Sequence, residues 1–268
     1  GKRKMRLCLA AWEGKGKYDL LLKYKCRFWL SSYLYILKMK PAVMTQVIGA
    51  KDFFLLDSGA HTFQKEGNST DYDRFVREYA QYVKNNPWID EYVELDIEAK
   101  VGMPQVEKWR QEMTEIVGKP PIVVWHRERG KQYYKHMVRN YPYVGFSGFV
   151  TKSGEMEVPI KYIGWFIKEA HDNNCQIHGF GFTRSNLLYK FPFDSVDSSS
   201  WIMGSKFGTY FHLRNGIELR RDRYRKLENL GFKNATRDEQ SAATWCKFQT
   251  ILCELWSGTQ SSGSQTPA

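Results

Sequence analysis

FPFDSVDSSSW, residues 191–201, reads as a short strand that stops on a carboxylate, Asp197, among serines and ahead of an aromatic residue. Two earlier stretches follow the same plan: FFLLDSGAHTF, residues 53–63, turns at Asp57, and EYVELDIE, residues 91–98, turns at Asp96. Aromatic and β-branched runs favour strands, and a carboxylate at a strand end is carried to the rim of a sheet. Three such ends in one chain predict a shared site.

Outward from these stretches the chain alternates short apolar runs with longer amphipathic ones. Strands are expected over 5–11, 28–35, 53–57, 92–97, 122–126, 143–147, 176–182 and 193–197. Helices are expected over 70–85, after an Asn-Ser-Thr-Asp start that can cap, over 103–117, with Pro104 in the first turn and Gly118 after the last, and over 131–140 and 158–173. Strand then helix, repeated eight times, predicts an α/β fold of the (β/α)8 TIM-type barrel class, in which reactive groups stand at the C-terminal ends of the strands. The same alternation fits an open doubly wound sheet, but no glycine-rich phosphate loop follows the first strand. The expected organisation is a barrel over 1–201, a basic helical extension packed on it over 202–256 with a helix over 237–256, and a disordered tail, SGTQSSGSQTPA, over 257–268.

With 268 residues and 42% hydrophobic composition, the chain can bury a sizeable core. Forty Lys and Arg against 29 Asp and Glu leave a formal charge of +11, which favours a polyanionic partner; a basic protein with nothing to bind is the plainer alternative. Arg214, Arg220, Arg221, Arg223, Arg225 and Lys226 concentrate that charge. Cys8, Cys26, Cys175, Cys246 and Cys253 are odd in number and widely spaced, so neither a zinc set nor a disulfide framework is expected, no cofactor is called for, and a reducing cytoplasm is the natural compartment. No apolar run approaches the roughly 18 residues of a membrane span, so no membrane partner is expected.

A carboxylate can attack a sugar carbon to form a glycosyl ester while a second serves as acid or base, and Asp197 with Asp57 supplies that pair. Ser58 and Gly59 after Asp57 leave room for a ligand at the backbone, although Asp-Ser-Gly also makes an ordinary Asx turn. Period two turns Glu94, Asp96 and Glu98 to one face, where buried carboxylates need donors. Asp194 and Asp197, three apart, face opposite sides of their strand, and Asp197 can equally cap a following helix. Gly145 with Phe146, and His178 with Gly179, stand at glycine-bearing strand ends; His126 ends the fifth strand and can meet a substrate edge or be structural.

Taken in order, LLDSGAHTF, VELDIE, VGFSGF, HGFGF and FDSVDSSSW resemble the tRNA-guanine transglycosylase superfamily, and more closely its phage-type branch that places a 7-deazaguanine in DNA. The resemblance spans roughly residues 50–201. It implies a (β/α)8 barrel in which Asp197 is the nucleophile at C1′ and Asp57 the general acid and base. Asp96 would accept hydrogen bonds from the base, His126 would stand where the family has a glutamine, and Gly145, Phe146, His178, Gly179, Ser58 and Gly59 would line the base pocket. The implied partners are DNA, or alternatively tRNA, and a free 7-deazaguanine base as co-substrate. Two departures stand out: the family's zinc ligands have no counterpart, and its Gly-Gly-Phe reads Gly59-Ala60-His61. A hydrolytic base-removing glycosylase and a non-catalytic basic barrel are the other readings.

Overall fold

A computed structural model of the chain describes residues 4–60, 62, 71–147, 158–223 and 236–258. Eight parallel strands form one curled sheet: β1 (Arg6–Leu9), β2 (Phe28–Ser32), β3 (Phe53–Asp57), β4 (Glu91–Tyr92), β5 (Val123–Trp125), β6 (Tyr143–Phe146), β7 (Gln176–Gly179) and β8 (Ser195–Ser198). Their order is β4-β3-β2-β1-β8-β7-β6-β5, and the edge strands β4 and β5 meet at the single parallel bridge Val93↔Ile122. From Val196 the register runs through Leu7 and β2 to Asp52; the other way, through Gly179, Phe146, Trp125 and β4, it reaches Ala60. Asp52 and Ala60 lie just beyond the two ends of β3, so the two paths, extended past the paired residues, are offset by eight positions, as expected for a (β/α)8 barrel. The α/β architecture is compatible with that class.

The longer helices are α1 (Pro41–Ala50), α2 (Tyr72–Asn85), α3 (Met103–Val117), α4 (Gly130–Asn140), α5 (Ile160–Asp172) and α6 (Arg237–Ser257). The Asp71 side chain caps α2 by accepting from the Arg74 amide at 3.0 Å, and Gly118, at φ 90°, ends α3. Alternate strand residues face the two sides of the sheet. Outward ones pack on helices, where the Phe146 ring lies 4.7 Å from Phe166 of α5 and 5.1 Å from Trp125. Inward ones, Cys8, Phe28, Leu30, Phe53, Leu55, Ile122, Val124 and Tyr143, form a second cluster inside the curl.

α6 belongs to this body. Its fully buried Gln249 donates Nε2–H to the carbonyls of Leu7 (2.8 Å) and Phe28 (2.9 Å) and accepts from the Arg27 amide at 3.1 Å, while Cys253 joins the inner cluster. The expected basic helix after residue 201 is corrected: Thr209–Arg214 (β9) and Glu218–Arg223 (β10) form an antiparallel hairpin. Asn215 and Gly216 take φ of 53° and 77°, and an Asn-Gly pair with both angles positive is strong turn chemistry. Arg225, Lys226, His61 and most of the expected tail lie outside the described residues. All five cysteines are buried and unbridged, and among the described residues no helix is long and apolar enough to cross a membrane.

Candidate active site

Asp197 sits on β8 with the inner face of the strand, and its Oδ1 accepts from His178 Nε2 at 2.9 Å and from the Gly181 amide at 3.0 Å. A carboxylate only accepts, so Nε2 carries the imidazole proton. In the neutral ring Nδ1 then accepts from the Ser195 hydroxyl at 2.7 Å, and Ser195 Oγ accepts from Tyr143 Oη–H at 2.5 Å. Burial holds the Tyr143 pKa well above its ordinary value, which keeps it a donor. The chain Tyr143–Ser195–His178–Asp197 thus has one internally consistent polarity. It is buried except at Asp197, whose side chain keeps 19% of its surface exposed. Oδ2 of Asp197 makes no hydrogen bond among the described residues. Asp194 faces the other way, accepting from the Ile177 amide at 2.8 Å and pairing with His171 of α5 at 2.9 Å.

Asp57 ends β3, two strands from β1, which itself pairs with β8 and sets Cys8 opposite Asp197. Asp57 Oδ2 accepts from the Gly59 amide at 3.2 Å. Gly59 has φ 81°, and a Cβ there would lie 2.8 Å from Ser32 Oγ, so glycine is required by both backbone and space. Ser58 points away from this rim: fully buried, it donates to the Glu94 carbonyl at 2.9 Å and ties β3 to the segment after β4. The inner thiol of Cys8 is pushed well up by burial, then by the charge of Asp197, and is no nucleophile.

The acidic run after β4 divides. Regular strand ends at Tyr92, so strict period two does not continue; Glu94 turns to Arg110, although Arg129 Nη1 also comes within 3.8 Å of it. The Glu94 carboxylate is wholly buried against Arg110 of α3, with Oε1 accepting from Arg110 Nη2 at 3.0 Å and from the Val124 amide at 2.7 Å. Arg129 Nη2 reaches both Asp96 (2.8 Å) and Glu98 (3.0 Å), and His126 Nε2 is bonded to the other Asp96 oxygen. The donors that a buried carboxylate needs therefore come from the chain itself. Burial pushes Asp96 up to about 7, with Glu98 and Glu94 adding to the rise against His126. Burial works against Glu98 too, but its bond from Asp96 and the charges of Arg129 and His126 hold it at about 2. Burial opposes charge on His126, yet the bond to Asp96 lifts its pKa above the usual value. Ligand atoms of Asp96, Glu98 and His126 lie within 4.8 Å of one another, a spacing a metal ion can bridge, but Arg129 already sets a guanidinium against both carboxylates.

Neighbours on a strand face opposite sides, and this separates two expected pairs. Gly145 is on the inner face, paired with Val124 and His178, while Phe146 is in the outer aromatic layer. His178 is inside, whereas a Cβ on Gly179 would meet Phe193 at 3.1 Å and Phe182 at 3.2 Å, both in the outer layer. Phe180 was not singled out by the sequence. Its ring lies edge-on to His178 at 4.5 Å and covers Gly145, with a ring carbon 2.3 Å from where a Cβ of residue 145 would stand. The two-residue step from His178 was the signal that pointed to it. Glu13, after β1, also went unread: burial raises its pKa while its bond from Ser31 opposes the rise.

In the hairpin, period two sends Arg214 and Arg220 to one face, where both pair with Glu218, and Arg221 and Arg223 to the other. The arginines therefore do not form one stripe. The chain matches no family model and no curated protein.

Proposed function

We propose that the protein exchanges guanine in DNA for a free 7-deazaguanine base through a glycosyl ester on Asp197. The observation that carries this reading is the setting of Asp197: one oxygen is fixed by His178 and the Gly181 amide, the other has no hydrogen bond among the described residues, and Asp57 ends a strand on the same rim.

Asp197 attacks C1′ of an extruded nucleotide; the C1′–O bond to Asp197 forms as the C1′–N9 bond breaks. Asp57, protonated at this point, gives its proton to the departing guanine. The incoming base then loses its N9 proton to the Asp57 carboxylate and attacks C1′. The electron pair of the ester returns to Asp197, and two inversions leave the sugar in its original configuration. His126, oriented through Nε2 by Asp96, offers its other ring nitrogen to the base edge, and Phe180 supplies an apolar face for the ring. The +11 charge of the chain draws the polyanion, while the Asp197 carboxylate at the centre keeps phosphates away from the reacting carbon.

The test is release of labelled guanine from duplex DNA with and without added 7-deazaguanine base. Release that requires the base supports exchange. An abasic product formed without it makes the protein a hydrolytic glycosylase; exchange on tRNA alone moves the substrate to RNA, and no release from either polymer overturns the proposal.

A further inference from the structure

The loop after β7, the turn after β8 and the hairpin border an open cavity of about 560 Å³ lined by Thr183, Arg184, Ser185, Asn186, Ser200, Arg220 and Arg221, among others. The geometry points to this cavity as a binding site for a backbone phosphodiester next to the target nucleotide, an inference that rests on the base-exchange reading for the word "target".

Three observations lead there. First, the side chains of Thr183, Arg184, Ser185, Asn186 and Ser200 make no hydrogen bond or ion pair among the described residues, so the wall offers five sets of uncommitted donors. Second, the local charge is positive. Glu218, the acidic residue of the lining, is held by Arg214 at 2.7 Å and Arg220 at 2.6 Å. Among the described residues Arg184 has no acidic partner, and Arg221 commits only Nε, to Thr209 Oγ1 at 2.9 Å, while its guanidinium lies over the Phe207 ring. Guanidinium groups with hydroxyl and amide donors around one space suit a tetrahedral dianionic or monoanionic oxygen cluster. A neutral sugar or base would leave two guanidinium charges unmatched.

Third, the cavity adjoins Asp197 along the chain on two sides. The Gly181 amide bonds Asp197 itself and Arg184 follows three residues later, while Ser200 lies three residues after Asp197. Three residues span at most roughly 11 Å. The cavity therefore lies near Asp197 along both chain segments, where a phosphate next to a nucleotide at Asp197 can be reached. Strand ends seven and eight of a parallel barrel are also where phosphate groups are commonly seated. Of the hairpin arginines, Arg220 and Arg221 both line this cavity, Arg220 being committed to Glu218.

The experiment measures binding of the full-length protein to a guanine-containing DNA stem-loop and to its RNA counterpart. In each, single linkages beside the guanine are replaced in turn by neutral methylphosphonate. Arg184→Ala, at an exposed position, is expected to weaken binding about tenfold and to lower the salt slope by about one, with Arg184→Lys recovering most of the loss. At one linkage the methylphosphonate is expected to weaken wild type to the same extent and to cost Arg184→Ala nothing further. A Thr183→Val/Ser200→Ala double variant should show the same linkage-specific behaviour, and the polymer that shows it is the one bound. Unchanged affinity and slope in Arg184→Ala, losses that add at every linkage, or no binding of wild type to either polymer would overturn the site. Linkage-specific coupling without any guanine release would keep the phosphate site and remove the exchange reading.

Discussion

Replacing His178 by alanine isolates what holds Asp197. The imidazole is fully buried and donates Nε2–H to Oδ1 at 2.9 Å, one of two bonds to that oxygen. A hydrogen bond to a charged group contributes about 1.5–3 kcal/mol, and each 1.4 kcal/mol is a factor of ten in rate. The two half-reactions feel this loss differently. Charge leaves Asp197 as the ester forms and returns as the ester breaks, so the missing donor slows breakdown more than formation. Turnover of His178→Ala is expected to fall roughly ten- to hundredfold while the fraction of protein trapped as ester rises. Ser195→Ala, which keeps Nε2–H but frees the ring to change tautomer, should fall less, and Tyr143→Phe least. Guanine-release kinetics with an acid quench read both quantities, and circular dichroism confirms the fold. A folded His178→Ala protein with wild-type turnover, or a slower one with less ester, would refute this role.

Three further outcomes follow from the same geometry. Arg110→Ala leaves the buried Glu94 carboxylate with only the distant Arg129, at 3.8 Å, as a cation and should destabilise the fold by about 3 kcal/mol in urea titration; Arg110→Met with Glu94→Leu should recover much of this but not the unpaired Val124 amide. Asp96, with an ordinary value of 3.8, titrates near 7 in the fold, and His126 is raised from 6.5, so the folded state binds more protons between pH 5 and 8. Stability is then greatest at the acid end of this window and lost as pH rises through 7, by about 3 kcal/mol from Asp96 across the window. Asp96→Asn should flatten the profile; Glu98, lowered to about 2, acts only below the window. Gly59→Ala should cost about 1–2 kcal/mol through its positive φ and the approach to Ser32, read as a fall in the urea midpoint at unchanged slope.

Elements marked by local signals were legible in the sequence. β3 and α3 fall on the expected residues, 53–57 and 103–117, because a bounded apolar run, Pro104 and Gly118 act over neighbouring residues. Asp194 and Asp197 separate as their spacing requires. The hairpin is obscured in the sequence by its charge: five basic residues in a short span read as a solvated helix, whereas Asn215-Gly216 holds a turn. Partners of the buried carboxylates were not legible, since Arg110 and Arg129 reach Glu94 and Asp96 only once α3 and the turn after β5 have docked. Strand parity alone separates Phe146 from Gly145 and Gly179 from His178, since neighbours on a strand face opposite sides.

The most direct test of the account is to quench the protein with acid during incubation with guanine-containing duplex DNA and 7-deazaguanine base, and to map the cross-linked peptide by mass spectrometry. The account predicts a deoxyribosyl ester on Asp197, formed as guanine is released, discharged by excess base and absent from Asp197→Ala. Guanine release by Asp197→Ala, or an ester mapped to another residue, would contradict it.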